Sequence, residues 1–139
     1  MDDLKTLTIL FRTRDTLKEI IKEDVKGYGL NVTEFGTMEA LYHKGPLSIS
    51  QILKKVLIAN SSMSYVLETL ETKEYVQRKK NPKDKRSFVI ELTEKGKTTF
   101  ECMYDHHKKT IRARLDALSE DEEKTLQSLL KKIGKQYIL

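Results

Sequence analysis

The N-terminal apolar residues recur every three or four positions and predict a long amphipathic helix. Its stripe consists of Leu4, Leu7, Phe11, Leu17, Ile21 and Val25, widened by Leu10 and Ile20. Gly27 and Gly29 end this helix. The stripe is broad for a helix that covers a small domain, so we expect a further partner to bury part of it.

Three shorter helices are predicted between Asn31 and Leu70. Two residue pairs have the capping-box spacing that starts a helix, namely Asn31 with Glu34 and Ser48 with Gln51. Gly45 followed by Pro46 ends the first of the three. The third begins near Asn60, and its apolar positions are Met63, Val66, Leu67 and Leu70.

A basic hairpin is predicted after the third short helix. Two strand-like runs, Tyr75–Arg78 and Phe88–Leu92, flank a basic loop at Lys79–Arg86. From Lys73 to Arg86 there are seven cations and two acids, an excess of +5 that equals the net charge of the whole chain. Positive charge concentrated on one hairpin indicates a polyanionic partner. Three helices and a basic hairpin together predict a winged helix-turn-helix over residues 31–93.

Two further amphipathic helices are predicted towards the C-terminus. Thr93 can cap the first, which carries Phe100, Met103, His107, Ile111, Leu115 and Leu118. Ser119 with Glu122 forms a third capping box, and the last helix carries Leu126, Leu129, Leu130, Ile133 and Tyr137. The terminal segments 1–30 and 94–139 carry more apolar surface than the winged helix can cover. We therefore expect both segments to be dimerisation helices.

The predicted fold class is mainly α with a small β-hairpin wing. The 139 residues form a single domain, in which a winged helix-turn-helix is flanked by N- and C-terminal dimerisation helices. A two-fold homodimer would present two reading helices to a palindromic site on double-stranded DNA. No apolar run approaches the ~20 residues that span a bilayer, and no secretory signal is apparent. We therefore expect a cytoplasmic protein with no membrane partner.

The exposed start of the third short helix carries small polar residues. They are Ser61, Ser62 and Ser64, followed by Tyr65. Small side chains allow a helix to approach a groove closely, and hydroxyls can bond base edges or phosphates. Serines at a helix start often serve only as caps, but beside a basic hairpin the DNA-reading interpretation is favoured.

Other functions have weaker support in the sequence. No Gly-rich phosphate loop, serine-centred elbow or paired-carboxylate spacing stands out, so we expect no enzyme and no cofactor. Cys102 and His106 have a helical spacing that can hold a metal, but about two more ligands would be needed, and no metal site is predicted. Two alternatives remain open: a redox-sensing regulator that uses Cys102, and a winged helix that binds an acidic protein surface.

Two segments resemble the signature of the MarR family of bacterial transcriptional regulators. Asn81-Pro82-Lys83-Asp84-Lys85-Arg86-Ser87, continuing to Leu92-Thr93-Glu94-Lys95-Gly96, resembles the family's Asp-x-Arg wing followed by Leu-Thr-x-x-Gly. Leu70–Val76 is similar to the end of its recognition helix, although Glu74 stands where the family usually has glycine. Glycine suits the left-handed turn that ends a helix, so Glu74 predicts slight strain or a different geometry.

The resemblance implies a homodimeric DNA-binding regulator, more often a repressor than an activator. The recognition helix would lie in the major groove and the wing arginine in the minor groove. The implied DNA-binding residues are Ser61, Ser62, Ser64, Tyr65, Lys83, Asp84, Lys85 and Arg86. Arg86 takes the minor-groove role, and Asp84 orients its guanidinium. The alternative for these two residues is a solvated ion pair at a loop tip, which contributes little.

A small-molecule effector would release such a repressor from its operator. Effector pockets lie between helices and combine apolar walls with a few polar groups. The candidates are Phe11, Tyr28, Tyr42, His43 and Met103, each of which fits ordinary core packing equally well. The segment Tyr28–Gly45 is similar to that of repressors that respond to quinone-like or aromatic compounds, which suggests that class of effector.

Overall fold

The computed structural model describes residues 3–56 and 62–134. Its elements are α1 (Lys5–Lys26), α2 (Val32–Lys44), α3 (Ile49–Lys55), α4 (Met63–Thr72), β1 (Val76–Asn81), β2 (Asp84–Leu92), α5 (Glu94–Leu115) and α6 (Glu120–Gly134). The two strands form an antiparallel hairpin. The predicted class, mainly α with a small β-hairpin wing, is therefore confirmed. The chain divides into two compact units, residues 1–107 and 108–139.

The predicted capping boxes are all present. Asn31 and Glu34 each accept a hydrogen bond from the other's backbone N–H, both at 2.8 Å. The same reciprocal pairs start α3 and α6, with Ser48–Gln51 and Ser119–Glu122. Thr93 Oγ1 accepts from the backbone N–H of Gly96 at 3.0 Å and so caps α5 as predicted. Asn60, Ser61 and Tyr137 lie outside the described residues.

The core of the first unit lies between the short helices, the hairpin and α5. Its fully buried side chains include Met38, Ile52, Leu67, Leu70, Ile90 and Phe100. Ile90 of β2 exchanges two backbone hydrogen bonds with Leu47, at 2.7 and 3.0 Å. These bonds fix the base of the hairpin against the connection between α2 and α3, while the apolar face of α4 packs into the same core.

The strands are longer than the sequence suggested. Tyr75–Arg78 and Phe88–Leu92 were predicted to flank an eight-residue basic loop, whereas the strands run over Val76–Asn81 and Asp84–Leu92. Only Pro82 and Lys83 remain as the turn, in which Asn81 Oδ1 accepts from the Lys83 backbone N–H at 3.0 Å. The basic segment is therefore mostly strand, and its cations stand at fixed positions along the hairpin.

The junction between α4 and β1 has an unusual backbone. Glu74 has φ of 63°, in the left-handed region, so of the two outcomes left open by the sequence the strained one is found. Its carbonyl accepts from Thr93 Oγ1 at 2.6 Å. Gly96 lies against the next residue, and a Cβ at Gly96 would collide with the carbonyl oxygen of Tyr75. The Leu-Thr-x-x-Gly motif thus allows the close contact that fixes the start of the wing against α5.

Several helix faces remain apolar and exposed. On α1, Leu4, Leu7, Ile9 and Phe11 are exposed, whereas Val25 is fully buried. In the second unit, α6 exposes Leu126, Leu129, Leu130 and Ile133. The expectation that a single chain leaves part of these stripes uncovered is confirmed for the described residues. None of the described helices is long and apolar enough to span a membrane.

Candidate nucleic-acid interface

Helix α4 presents one buried and one exposed face. Its four predicted apolar residues, Met63, Val66, Leu67 and Leu70, are buried. Ser62, Ser64 and Tyr65 are exposed, and the Tyr65 side chain remains 63% accessible. Ser62 occupies the N-cap position but makes no side-chain capping hydrogen bond, so capping does not account for its hydroxyl. The face predicted to read DNA is therefore open, except that Ser61 lies outside the described residues.

An ion pair connects the recognition helix α4 to the first strand of the wing. Arg78 Nε donates to Glu71 Oε1 at 2.8 Å, with both side chains partly exposed. An open groove of about 490 Å³ lies beside this pair, and it is lined by Ser64, Glu68, Glu71, Thr72 and Arg78. The ion pair thus joins the end of α4 to the start of the wing, and both elements line one polar groove.

The pairing of the two strands is irregular at the tip of the wing, where several of its cations lie. Lys80 pairs with Phe88, but the next residue, Asn81, pairs with Asp84. The intervening residues Lys85, Arg86 and Ser87 therefore have no ladder partner in β1, although Asn81 Nδ2 donates to Ser87 Oγ at 3.2 Å. Bulges of this kind redirect side chains away from the regular ladder. Lys83, Lys85 and Arg86 are all exposed, as a role at a DNA backbone or groove requires.

The contact of Asp84 differs from the predicted one. Asp84 Oδ1 accepts from the backbone N–H of Arg86 at 3.0 Å, and Ser87 Oγ donates to the Asp84 carbonyl at 3.2 Å. No ion pair within the described residues joins Asp84 to the Arg86 guanidinium. Asp84 therefore holds the backbone of the wing tip instead of orienting the guanidinium, because the two-residue spacing brings the nearer backbone N–H within reach.

Two further cations of the wing were omitted from the predicted site. Lys79 and Lys80 lie on β1 and are exposed. Their position in the basic segment could have identified them. Because the sequence placed them in a loop, it gave no indication of which way their side chains face. Together with Lys83, Lys85 and Arg86 they make the wing a positively charged surface, which favours binding of a polyanion.

The candidate effector residues are only partly brought together. Tyr42 contacts His43, with ring centroids 5.3 Å apart, and both belong to a ring cluster with Phe100 and Tyr104. Tyr42 also lines a cleft of about 200 Å³ with Leu41, Gly45, Pro46, Glu91, Leu92 and Lys97. Tyr28 stacks on Phe35, and Met103 is buried in the core. Phe11 is exposed on α1.

A polar cluster around Asp24 was not predicted from the sequence. The buried carboxylate of Asp24 accepts from Tyr28 Oη at 2.9 and 3.0 Å. It also lies 3.1 Å from His106 Nδ1 and 2.7 Å from His107 Nδ1. Burial, followed by the hydrogen bond to Asp24, raises the pKa of Tyr28, so the phenol remains a donor. The cluster connects the end of α1 to α5 and gives His106 a structural contact.

The sequence also offered Cys102 and His106 as metal or thiol candidates, and both lie on α5. Among the described residues no group of three or more His, Cys, Asp or Glu side chains is arranged to hold a metal ion. Cys102 is exposed on α5, where it is available to reagents in solution.

Comparison with known proteins identifies related regulators. Residues 30–88 match the MarR family. The HTH-type transcriptional regulator MhqR of Bacillus subtilis (strain 168) is 35% identical over 131 residues, which cover 94% of this chain and 90% of MhqR. That alignment includes nearly the whole of both chains, and so it extends well beyond the winged helix.

Two solved structures share the fold. A mutant MarR from E. coli complexed with operator DNA has a TM-score of 0.79 at 19% identity, covering 96% of this chain and 99% of that one. BpsR of Bordetella bronchiseptica, whose DNA binding is regulated by 6-hydroxynicotinic acid, has a TM-score of 0.80 at 20% identity, covering 96% and 95%. With the family match and the identity to MhqR, these findings confirm the resemblance: the chain belongs to the MarR family of winged helix-turn-helix transcriptional regulators.

Proposed function

We propose that this chain is a homodimeric repressor that binds a palindromic DNA operator and is released from it by a small aromatic effector. The observation that carries the proposal is the exposed face of α4 beside the wing. At the tip of this wing, Lys85 and Arg86 are exposed and have no pairing partner in β1. The E. coli MarR mutant that shares this fold was solved with operator DNA, which supports the same mode of binding here.

The two parts of the site suit the two grooves of DNA. The start of α4 has small hydroxyl side chains and one exposed aromatic ring, which fit the wide major groove. Arg86 lies on a narrow hairpin tip, and arginine inserted into a narrow minor groove is attracted by its negative potential. The lysines of the wing would neutralise backbone phosphates, which supply affinity without sequence information.

Dimerisation is supported by the uncovered apolar faces. Leu4, Leu7 and Phe11 at the start of α1 follow helical spacing along one face, as do the four exposed apolar residues of α6, whereas Ile9 lies on the other side of α1. A contiguous apolar face of this kind marks an interaction surface. A second copy of the chain would bury these faces and, by its two-fold symmetry, place a second recognition helix on the other half of a palindrome.

A small aromatic effector is supported by the ring cluster and by one similar protein. The cleft beside Tyr42 adjoins the rings of His43, Phe100 and Tyr104, which combines apolar walls with a few polar groups. BpsR, which shares the fold, is regulated by 6-hydroxynicotinic acid. Both observations favour a planar, partly polar ligand.

The test of DNA binding begins with a site selected by the wild-type protein from random duplexes. Fluorescence anisotropy then compares the wild type with Arg86→Ala and with Lys131→Ala, which removes one positive charge from α6. We expect Arg86→Ala to weaken binding by about 1–3 kcal/mol and to reduce the salt dependence by about one counterion. Lys131→Ala should bind as the wild type does.

The outcomes separate this proposal from its alternative. Equal affinities for Arg86→Ala and the wild type would remove the wing from the mechanism. If the wild type binds no duplex in a salt-dependent manner, the repressor proposal is wrong and the basic surface serves another acidic partner.

A further inference from the structure

The recognition helix lacks the residues that most often read DNA. The segment Met63–Thr72 contains no lysine or arginine, although bidentate binding of guanine by these residues is the commonest specific contact in the major groove. Its only ionised side chains are Glu68 and Glu71. A carboxylate that faces DNA repels the phosphates, so its presence on this face calls for a compensating contact.

The two carboxylates differ in their surroundings. Glu71 accepts from Arg78 Nε at 2.8 Å, and its charge is thereby offset. Glu68 is exposed, and among the described residues no hydrogen bond or ion pair is made by its carboxylate. Only its backbone carbonyl is used, as the acceptor for Thr72 Oγ1 at 2.9 Å. Glu68 therefore keeps a free acceptor at the surface.

Glu68 lies on the same face as the residues already assigned to DNA. It follows Ser64 by four positions and Tyr65 by three, so these side chains are neighbours on the helix surface. Ser64 and Glu68 line the same open groove. Since the N-terminal part of a recognition helix reaches the base edges, a side chain one turn after Ser64 points into the same stretch of major groove.

Resting on the DNA-binding function proposed above, we infer that Glu68 determines operator specificity by accepting a hydrogen bond from the N4 amino group of cytosine. Guanine presents only acceptors in the major groove, and thymine presents an acceptor and a methyl group. Adenine places its N7 acceptor beside its amino donor, whereas cytosine presents a donor alone. A carboxylate, which only accepts, therefore fits cytosine best: guanine and thymine offer it no donor, and on adenine the N7 acceptor opposes it.

The test is a selection from random duplexes with the wild type, Glu68→Gln and Glu120→Gln. The last variant changes the net charge by the same amount on α6. We expect the wild type to select cytosine at one symmetry-related pair of positions. There, any other base, or N4-methylcytosine, which keeps the base pair but loses the free donor, should weaken binding roughly 5- to 150-fold. Glu68→Gln should select adenine there, because a glutamine amide binds adenine N6 and N7.

The possible results are distinct. A change of preference from cytosine to adenine in Glu68→Gln alone supports the inference. If Glu68→Gln selects the same bases as the wild type at every position, or only binds all duplexes more tightly, Glu68 affects charge and the inference is wrong. If the wild type selects a site but tolerates N4-methylcytosine at every cytosine, the inference fails while DNA binding stands. If the wild type selects no site, the proposed function fails, and this inference with it.

Discussion

Glu74 connects the recognition helix to the wing through a left-handed backbone conformation. Its φ is 63°, a region that costs a residue with a Cβ roughly 1–2 kcal/mol. The carbonyl of Glu74 is held by Thr93 Oγ1, and the following residue is packed against Gly96. These contacts hold the backbone in place although glutamate disfavours the conformation.

Replacing Glu74 by glycine should therefore stabilise the protein. Glycine relieves the left-handed strain but loses about 0.5–1 kcal/mol in backbone entropy, which leaves a net gain of up to about 1.5 kcal/mol. The exposed pair of Glu74 with Lys95, at 3.6 Å, contributes little. Urea denaturation measures the difference, and Glu74→Ala is the control because it removes the carboxylate while keeping the Cβ. Equal stability of the two variants would show that the strain does not exceed the entropy cost of glycine, and the expected gain would be absent.

Individual residues were predictable where their contacts are local. The caps at Asn31, Ser48 and Ser119 follow from a three-residue spacing, and all three are present. The atoms contacted by Asp84 were not predictable, because the spacing to Arg86 allows both a backbone and a guanidinium contact. The cluster at Asp24 was missed, since its histidines lie 82 and 83 positions away and no periodic pattern reports such a pairing.

The order of the helices and strands was predicted correctly, but the ends of the two strands were not. The helices have apolar periodicity and caps, whereas β1 is exposed at nearly every position and so lacks the alternation that marks a half-buried strand. The hairpin is instead fixed by backbone pairing along its length and by the bridge from Leu47 to Ile90. The pairs that extend both strands, such as Lys80 with Phe88, lie close to the turn, but their exposed side chains give no apolar alternation, so the sequence alone predicted strands that were too short.

Within the second unit, one ion cluster connects the end of α5 to the start of α6. Arg112 donates to Glu123 Oε1 at 2.7 Å and Oε2 at 3.0 Å, and to Asp116 at 2.6 Å. The hydrogen bond from Arg112 is the main reason that the pKa of Glu123 lies below its ordinary value of 4.5. The Arg112–Glu123 pair therefore favours the folded state only while Glu123 is ionised.

This cluster predicts a dependence of stability on acid. Because folding lowers the pKa of Glu123, its contribution is present above the unfolded pKa and is lost as the pH falls through the folded one. Unfolding free energies measured from neutral to acid pH should fall less steeply for Glu123→Gln than for the wild type. Asp121→Asn, which removes a carboxylate from the same helix and leaves the Arg112–Glu123 pair in place, is the control. If both variants show the wild-type slope, Arg112 does not stabilise ionised Glu123.

At the scale of the whole molecule, the exposed face of α6 predicts that the active form is a dimer. Leu129 and Ile133 are each 50% exposed in the single chain, and burying one such side chain contributes about 1.5–3 kcal/mol. Leu129→Glu should therefore raise the dimer dissociation constant by at least roughly tenfold and weaken operator binding in parallel.

The control is Ser128→Glu, which introduces the same charge on the opposite side of α6 and should remain dimeric. Light scattering after size exclusion measures both; a Leu129→Glu protein that is as dimeric as the wild type would place the interface elsewhere.

In the proposed dimer, an effector can release DNA by changing the separation of the two recognition helices. Two recognition helices must match successive major grooves, about 34 Å apart, so a ligand that favours a different separation will oppose DNA binding. A ligand achieves this only by binding the mismatched arrangement more tightly than the matched one.

The same linkage requires a reciprocal effect, which gives the last prediction. Operator DNA must weaken effector binding by the factor by which the effector weakens DNA binding. A panel of quinones and hydroxylated aromatic acids is first screened for loss of operator anisotropy. Calorimetry then measures the affinity of an active compound for the free protein and for its operator complex. Couplings of this kind typically lie between roughly 5- and 150-fold.

Identical affinities in the two titrations would exclude an equilibrium switch, and release would then require covalent chemistry, for which exposed Cys102 is the available thiol. Cys102→Ser distinguishes the two routes, because it should leave an equilibrium switch intact and abolish a covalent one.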